Sequence, residues 1–311
     1  MNDRLREQAC VLAIVAGAFR SDPEYWAWHR IADVVQETGS AERILAGDWT
    51  GFEPEDAERL RKDALEGGAA ESIADYSDLI CAVQKEGHRL VTVLDRDYPA
   101  NLRTIYNRPP FLFVSGEISE ADKYSIAVVG TRSASDRGIE LARSLSSELA
   151  KQGVTVVSGM AYGIDEAAHT ASLEAGGRTI AVMGTGIRHT YPAAHRDLRA
   201  QIERHGAAVS QFWPDAPPRR SSFPLRNIVT SGISLGTVVI EAGPTSGAKN
   251  QARHALEHGK HLFLVDSLVM HEEWARQYAC RPKARVVKTV EDITAVLQEV
   301  LTPPEQLSLS V

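Results

Sequence analysis

Six short apolar runs punctuate the chain: "SIAVVG" from Ser125, "VTVVSG" from Val154, "RTIAVMG" from Arg178, "AAVSQF" from Ala207, "GTVVIEA" from Gly236 and "HLFLV" from His261. Each is a strand's length and apolar on both faces, and stretches with helical spacing separate them. Strands of this kind cannot leave one face in water. They imply a parallel sheet with helices packed on both faces, since parallel neighbours need a crossover and a helix is the usual one. The expected fold class is α/β, an extended Rossmann-like and mostly parallel sheet, with a small helical N-terminal domain.

That domain is read over residues 1–86, where apolar residues recur at helical spacing, as in "IADVVQETGSAERIL", and glycines interrupt them. Residues 87–120 read as a connecting segment packed on the core. It holds a strand, a Tyr98-Pro99 turn, a short helix and the apolar run Phe111 to Val114. The Rossmann-like core is expected over 121–302, closing with a strand at "ARVVK" and a helix over "VEDITAVLQEVL". A flexible tail over 303–311 follows. A chain of 311 residues with 43% hydrophobic content can bury a large core and a small satellite.

The net charge of −7 excludes a surface coated in basic residues, so any nucleic-acid contact must come from a local positive patch. Cys10, Cys81 and Cys280 lie too far apart for a zinc knot or a disulfide framework. The stretch "CVLAIVAGAF" is too short to span a bilayer. A soluble cytoplasmic protein without membrane contact is expected.

In an open parallel sheet, ligands gather at the carboxyl ends of the strands, where helix N-termini present unpaired N–H groups. Four of those ends are glycine-rich here: "GTRSAS", "SGMAYG", "GTG" and "EAGPTSG". Glycine lets a backbone approach an anion, and Ser or Thr adds a hydroxyl, so the edge reads as phosphate-friendly; glycine also simply permits a turn. A nicotinamide dehydrogenase is ruled out. "GTRSAS" is not GxGxxG, and the second strand ends in Ser158-Gly159 where a ribose-binding acid belongs. Nor is "GTRSASDRG" a Walker A loop. Asp165 and His169, four apart, read as an early helix acid and a packing contact, with no third ligand for a metal; no cofactor is expected. Between Arg196 and Arg226 stand Arg199, Arg204, Arg219 and Arg220, set against Asp197, Glu203 and Asp215, with Phe212, Trp213 and Phe223 nearby. This pattern suits phosphate contacts and base stacking on a single strand, and equally a solvated helix face followed by a proline-rich loop.

The blocks "VVGTRSASDRG", "VVSGMAYGIDEAAHTASLEAGGRTIAVMGTG", "YPAAHRDL", "SSFPLRN" and "EAGPTSGAKNQARHALEHGK" resemble, in order and spacing, the DNA-processing protein A family, also called Smf. The resemblance covers about Leu90 to Val265, and the helical N-terminal region is similar to the SAM-like domain of many members. It implies a non-enzymatic, homodimeric protein that binds and protects incoming single-stranded DNA. Such a protein passes the strand to a RecA-type recombinase during natural transformation, in competence and DNA recombination. Carried onto this chain, the resemblance implies a phosphate pocket of Arg132, Ser158, Gly159, Arg226, Asn227, Ser246, Gly247 and Lys249. The glycine-rich turns add Gly130, Thr131, Gly163, Gly184 and Gly186 to the candidate site, with Asp165, His169 and Glu241 supporting it. In this reading the Ser158-Gly159 turn offers backbone donors to a phosphate, and Gly163 and Asp165 shape and cap the helix behind.

The chain also departs from the family pattern. FPxRNRIIAGLS reads here as "FPLRNIVTSGIS", which puts Ile228 at the second basic position. Ser210-Gln211 replaces an SE pair, Gln251 a threonine, and Asp266-Ser267 a Pro-Gly. A C-terminal winged helix is not expected. These changes support a second reading, a diverged paralogue, for instance in a defence locus, that binds or hydrolyses a nucleotide-derived ligand at the strand edge with Glu241 as acid or base. The tail "EQLSLSV" resembles sliding-clamp ligands of the form QLxLF, but Ser310 replaces the aromatic anchor and clamp binding is not expected.

Overall fold

A computed structural model describes residues 2–21, 28–48, 58 and 69–301 of the chain. The clamp-like tail and parts of the 1–86 region lie outside the described residues. Among those described, nine strands form one sheet in the order β1-β2-β6-β5-β4-β3-β7-β8-β9. The strands are β1 (His88–Thr92), β2 (Phe111–Gly116), β3 (Ser125–Val129), β4 (Thr155–Ser158), β5 (Thr179–Val182), β6 (Ala207–Ser210), β7 (Gly236–Val239), β8 (His261–Val265) and β9 (Ala284–Val287). From β6 across to β9 every pairing is parallel. Segment 87–120 does more than pack on this core: β1 and β2 hydrogen-bond into the sheet as an antiparallel edge on β6.

Helices α1 (Asp3–Ser21), α2 (Trp28–Thr38), α3 (Ala41–Leu45) and α4 (Ala69–Lys85) form the N-terminal region. After them come α5 (Ala100–Arg103), α6 (Asp136–Lys151), α7 (Ile164–Glu174), α8 (Arg196–His205), α9 (Ser222–Ile233), α10 (Gly247–Glu257), α11 (Asp266–His271), α12 (Glu273–Ala279) and α13 (Glu291–Leu301). Local sequence sets several starts. Ser135 caps α6 by accepting from Gly138 N at 3.1 Å, and Asp136 in the first turn complements the helix dipole.

Two apolar clusters make the core. One runs from Leu12 and Ile14 of α1 through Phe111 and Phe113 of β2 to Val209 of β6 and Val229 of α9, so the N-terminal helices share a core with the antiparallel edge. Tyr76 stacks on Trp213 at 5.8 Å across that contact. The second joins Val128, Leu149, Val238, Phe263 and Ile293. Full burial of a side chain such as Phe113 or Phe263 contributes about 1.5–3 kcal/mol, and each is fully buried.

The topology also fixes where a ligand can sit. From β3 the chain winds outward through β4, β5 and β6, then returns and winds the other way through β7, β8 and β9. The strand order therefore reverses between β3 and β7. Crossovers leave that point in opposite directions, and a crevice opens at the carboxyl ends of the two strands.

Candidate nucleic-acid interface

The crevice is a cleft of about 650 Å³ at that switch point. The turn after β3, Gly130-Thr131-Arg132, forms one wall. It is fixed from both sides: Thr131 N donates to Glu241 O at 2.7 Å, and Ile164 N donates to Thr131 O at 3.4 Å. Gly163 makes this approach possible. Its φ is +77°, and a Cβ there would lie 2.6 Å from Thr131 O.

Arg226 of α9 forms the floor. It is 7% exposed, and its Nη1 donates to Val182 O at 3.0 Å. Its Nε is buried without a hydrogen-bond partner. The guanidinium packs against Gly159, where a Cβ would stand 1.5 Å from Nη1. Burial lowers the pKa of Arg226; Asp165 opposes that shift and Arg132 adds to it. Over the floor, Arg132 lies on the ring of Phe223 at 5.1 Å, and Phe223 meets Tyr191 at 5.7 Å. Arg220, Asn227, Thr245, Ser246, Gly247 and Asn250 complete the lining. Asn227 ties α9 to the start of α10, donating to Gly247 O and Asn250 Oδ1, each at 3.2 Å. Three guanidinium groups thus face one carboxylate, Asp165, in a crevice whose walls focus their field.

Of the residues singled out by sequence, Gly130, Thr131, Arg132, Gly159, Asp165, Arg226, Asn227, Ser246 and Gly247 line this cleft. The others stand elsewhere. Ser158 is fully buried, and its hydroxyl donates to Val128 O at 2.7 Å, so it has no free donor for a ligand. The Ser158-Gly159 turn does not offer its amides either: Gly159 N and Ala161 N donate to Asp165 at 3.2 and 3.3 Å. Gly184 lies under Phe223, and Gly186 donates its N–H to Ala216 O at 2.8 Å, so both are packing positions. Lys249 sits over Trp274 at 6.0 Å, outside the cleft lining.

Glu241 is a structural acid. Its carboxylate accepts from Ser135 N at 3.1 Å and from Ser135 Oγ at 2.9 Å, holding the start of α6. These bonds engage the acid on which the hydrolytic reading relied. His169 is fully buried on Thr179 Oγ1 at 2.7 Å, and burial first, then His195 and Arg226, push it down to about 3, so it is neutral.

The arginine-rich segment divides in the same way. Arg199 is buried and holds Ile187 O and His189 O, each at 2.7 Å, while Arg219 and Arg220 are exposed. Trp213 belongs to the core and Phe223 to the cleft. Ile228, at the position of the missing second arginine, packs against the first core cluster and is not part of the cleft. Its loss leaves the cleft's charge untouched. Tyr191, Thr245 and Asn250 were missed by sequence reasoning. For Tyr191 the available signal was an aromatic just ahead of Pro192 in a polar loop; it is 43% exposed.

Fold and cleft together define a Rossmann-class protein with a cationic, aromatic-lined crevice at its topological switch point. The chain belongs to the DNA recombination-mediator protein A family, whose model matches residues 89–298. It is 40% identical over 187 residues to Protein Smf of Escherichia coli (strain K12), covering 60% of this chain and 50% of that protein. It is 32% identical over 209 residues to DNA processing protein DprA of Bacillus subtilis (strain 168), covering 67% of this chain and 70% of that one. The match to the Escherichia coli relative thus spans half of that relative's length. The X-ray structure of DNA processing protein A from Streptococcus pneumoniae superposes with a TM-score of 0.63 at 26% identity, covering 94% of this chain and 95% of that one. A solved structure of DNA processing protein A from Helicobacter pylori superposes with a TM-score of 0.60 at 22% identity, covering 68% of this chain and 96% of that one, a likeness of fold.

Proposed function

We propose that this chain binds single-stranded DNA in the switch-point cleft and acts, as a homodimer in the cytoplasm, to pass the strand to a RecA-type recombinase. One observation carries the reading: in a member of this family, Arg132, Arg220 and Arg226 converge with Phe223 and Tyr191 on one open crevice. Guanidinium groups suit phosphates, and the exposed ring of Tyr191 suits bases that no partner strand covers. A duplex hides its base faces, so the same crevice selects single strands. Because phosphates are identical at every nucleotide, sequence preference is small.

The test is fluorescence anisotropy with labelled single-stranded and duplex oligonucleotides across a salt series. Single strands bind more tightly, and the logarithm of affinity falls linearly with the logarithm of salt. Equal affinity for duplex, or indifference to salt, would overturn the reading. The handover is tested separately, by adding the chain to recombinase on strands coated with a single-strand-binding protein. Faster onset of recombinase ATPase supports it, and an unchanged onset removes it.

A further inference from the structure

We propose that Asp165 is a resident anion of the cleft, occupying a backbone anion nest and countering Arg226, and so limits the affinity of the site for phosphodiesters. This rests on the DNA-binding reading and adds a residue that sets its strength. The geometry has three parts. Asp165, at the first turn of α7, lines the cleft and is 6% exposed. Its Oδ2 accepts from the N–H groups of Gly159 and Ala161, two donors one residue apart in a turn that would otherwise grip an incoming anion. The turn is held in this shape: Met160 between them has φ +65°, and its carbonyl accepts from His195 Nδ1 at 3.0 Å. A backbone arrangement suited to a phosphate is thus filled from within.

The second part is Arg226. Its guanidinium makes one hydrogen bond, to Val182 O, and among the described residues has no carboxylate within ion-pair distance. Asp165 is nonetheless the group that most favours its charge. A phosphate entering the cleft meets the attraction of Arg226 and the repulsion of Asp165 together. Removing the acid's charge leaves the attraction unopposed. The amide of Asp165→Asn keeps an oxygen that can accept both N–H bonds, so the turn persists.

The third part is proton linkage. Burial raises the Asp165 carboxyl, against the opposing pull of Arg226 and of the backbone N–H bonds. Arg226 from α9 faces it; Arg132 from the β3 turn lines the same cleft, Glu166 and His169 share α7 with it, and His195 Nε2 lies 3.3 Å from Glu166. As pH falls, the buried carboxyl takes up its proton at a higher pH than an exposed aspartate would, and binding tightens. Asp165→Asn, already neutral there, retains only the response of the other groups.

The experiment compares the wild-type chain, Asp165→Asn and Arg226→Ala, using a labelled thymidine hexanucleotide with sulfate as competitor, since both keep constant charge from about pH 7.5 to about pH 5.5. Thermal melting is recorded alongside. Asp165→Asn is expected to bind about tenfold more tightly at the upper pH, with sulfate competing better by a similar factor. Equal or weaker binding by a folded Asp165→Asn overturns the inference. If Asp165→Asn fails to fold, Asp165→Ser, whose hydroxyl oxygen can still accept from the turn, takes its place, and equal or weaker binding by it overturns the inference. A wild-type chain that binds neither oligonucleotide nor sulfate defeats the DNA-binding reading itself. Binding lost in Arg226→Ala but not strengthened in Asp165→Asn defeats only the role of Asp165.

Discussion

The turn after β4 and the turn after β7 have nearly the same composition, glycines with serines, and opposite physical states. After β4, Ser158 is fully buried, Gly159 lies beneath a guanidinium, and the amides of Gly159 and Ala161 are held by Asp165. After β7, Gly243 and Gly247 have open space where a Cβ would stand, and Ser246 caps α10 by accepting from Ala248 N at 3.2 Å. The first set of glycines answers to packing, the second to approach from outside. A glycine-rich strand end therefore does not by itself say that its donors are free. What decides is whether a side chain of the same protein already occupies them.

The contrast is most easily broken at Gly163. Its φ is +77° and a Cβ would stand 2.6 Å from Thr131 O and 2.8 Å from Arg132 O, both backbone atoms that cannot swing aside. Gly163→Ala should cost on the order of 3 kcal/mol or more, from left-handed backbone strain added to overpacking. Chemical denaturation measures it. A loss below about 1 kcal/mol would mean that the β3 and β4 turns are not locked together.

Acid should also act strongly, and on the buried side. His169 and His258 are each lowered from 6.5 to about 3, mainly by burial. Below pH 6.5 the unfolded chain takes up protons that the folded chain refuses, so stability is complete above 6.5 and declines as pH falls toward 3. Each histidine contributes a loss of roughly 1.4 kcal/mol per pH unit in that window. His169→Gln should make the denaturation midpoint less sensitive to pH between about 6 and about 4. An unchanged slope would show that His169 takes up its proton in the folded state.

How far these features were legible in the sequence follows from the same contrast. Apolar runs announced β3 to β8 because a strand buried on both faces admits few polar residues, and "ARVVK" marked the edge strand β9. The joining of β1 and β2 to β6 was not legible, since register depends on a partner about a hundred residues away. Arg132, Arg226 and Gly247 could be placed in the cleft by strand order and family pattern. Ser158 and Glu241 could not be excluded, because their hydroxyl and carboxylate are consumed by Val128 and Ser135, contacts made only by folding. Tyr191 entered the cleft through loop geometry alone, and no spacing in the sequence encodes that.

Arg226→Ala sharpens the comparison at the cleft floor. It removes one buried cation, and the affinity for single strands should drop about tenfold, with a salt slope shallower by about one phosphate contact. Anisotropy in several salt concentrations gives both numbers. A lower affinity with an unchanged slope would mean that Arg226 supports the cleft without touching phosphate, as Asn227 does by tying α9 to α10.

The smallest effect is expected at Gly247, and there the two kinds of glycine separate completely. A methyl group at this position meets nothing within 4 Å, and the residue begins α10, where alanine is a better helix former than glycine. Gly247→Ala should leave the melting temperature unchanged or raise it slightly, within about 1 kcal/mol. The same methyl group projects from a residue that lines the cleft, at the start of a helix whose dipole favours an anion. If a phosphate rests there, it must retreat from the backbone, and single-strand affinity should fall about threefold while the salt slope, set by arginines elsewhere, stays the same. Loss of binding without loss of stability is the opposite of what Gly163→Ala should do, and the pair of variants measured side by side tests the distinction directly. Unchanged affinity in Gly247→Ala would place the strand on the arginine and aromatic wall alone, away from α10.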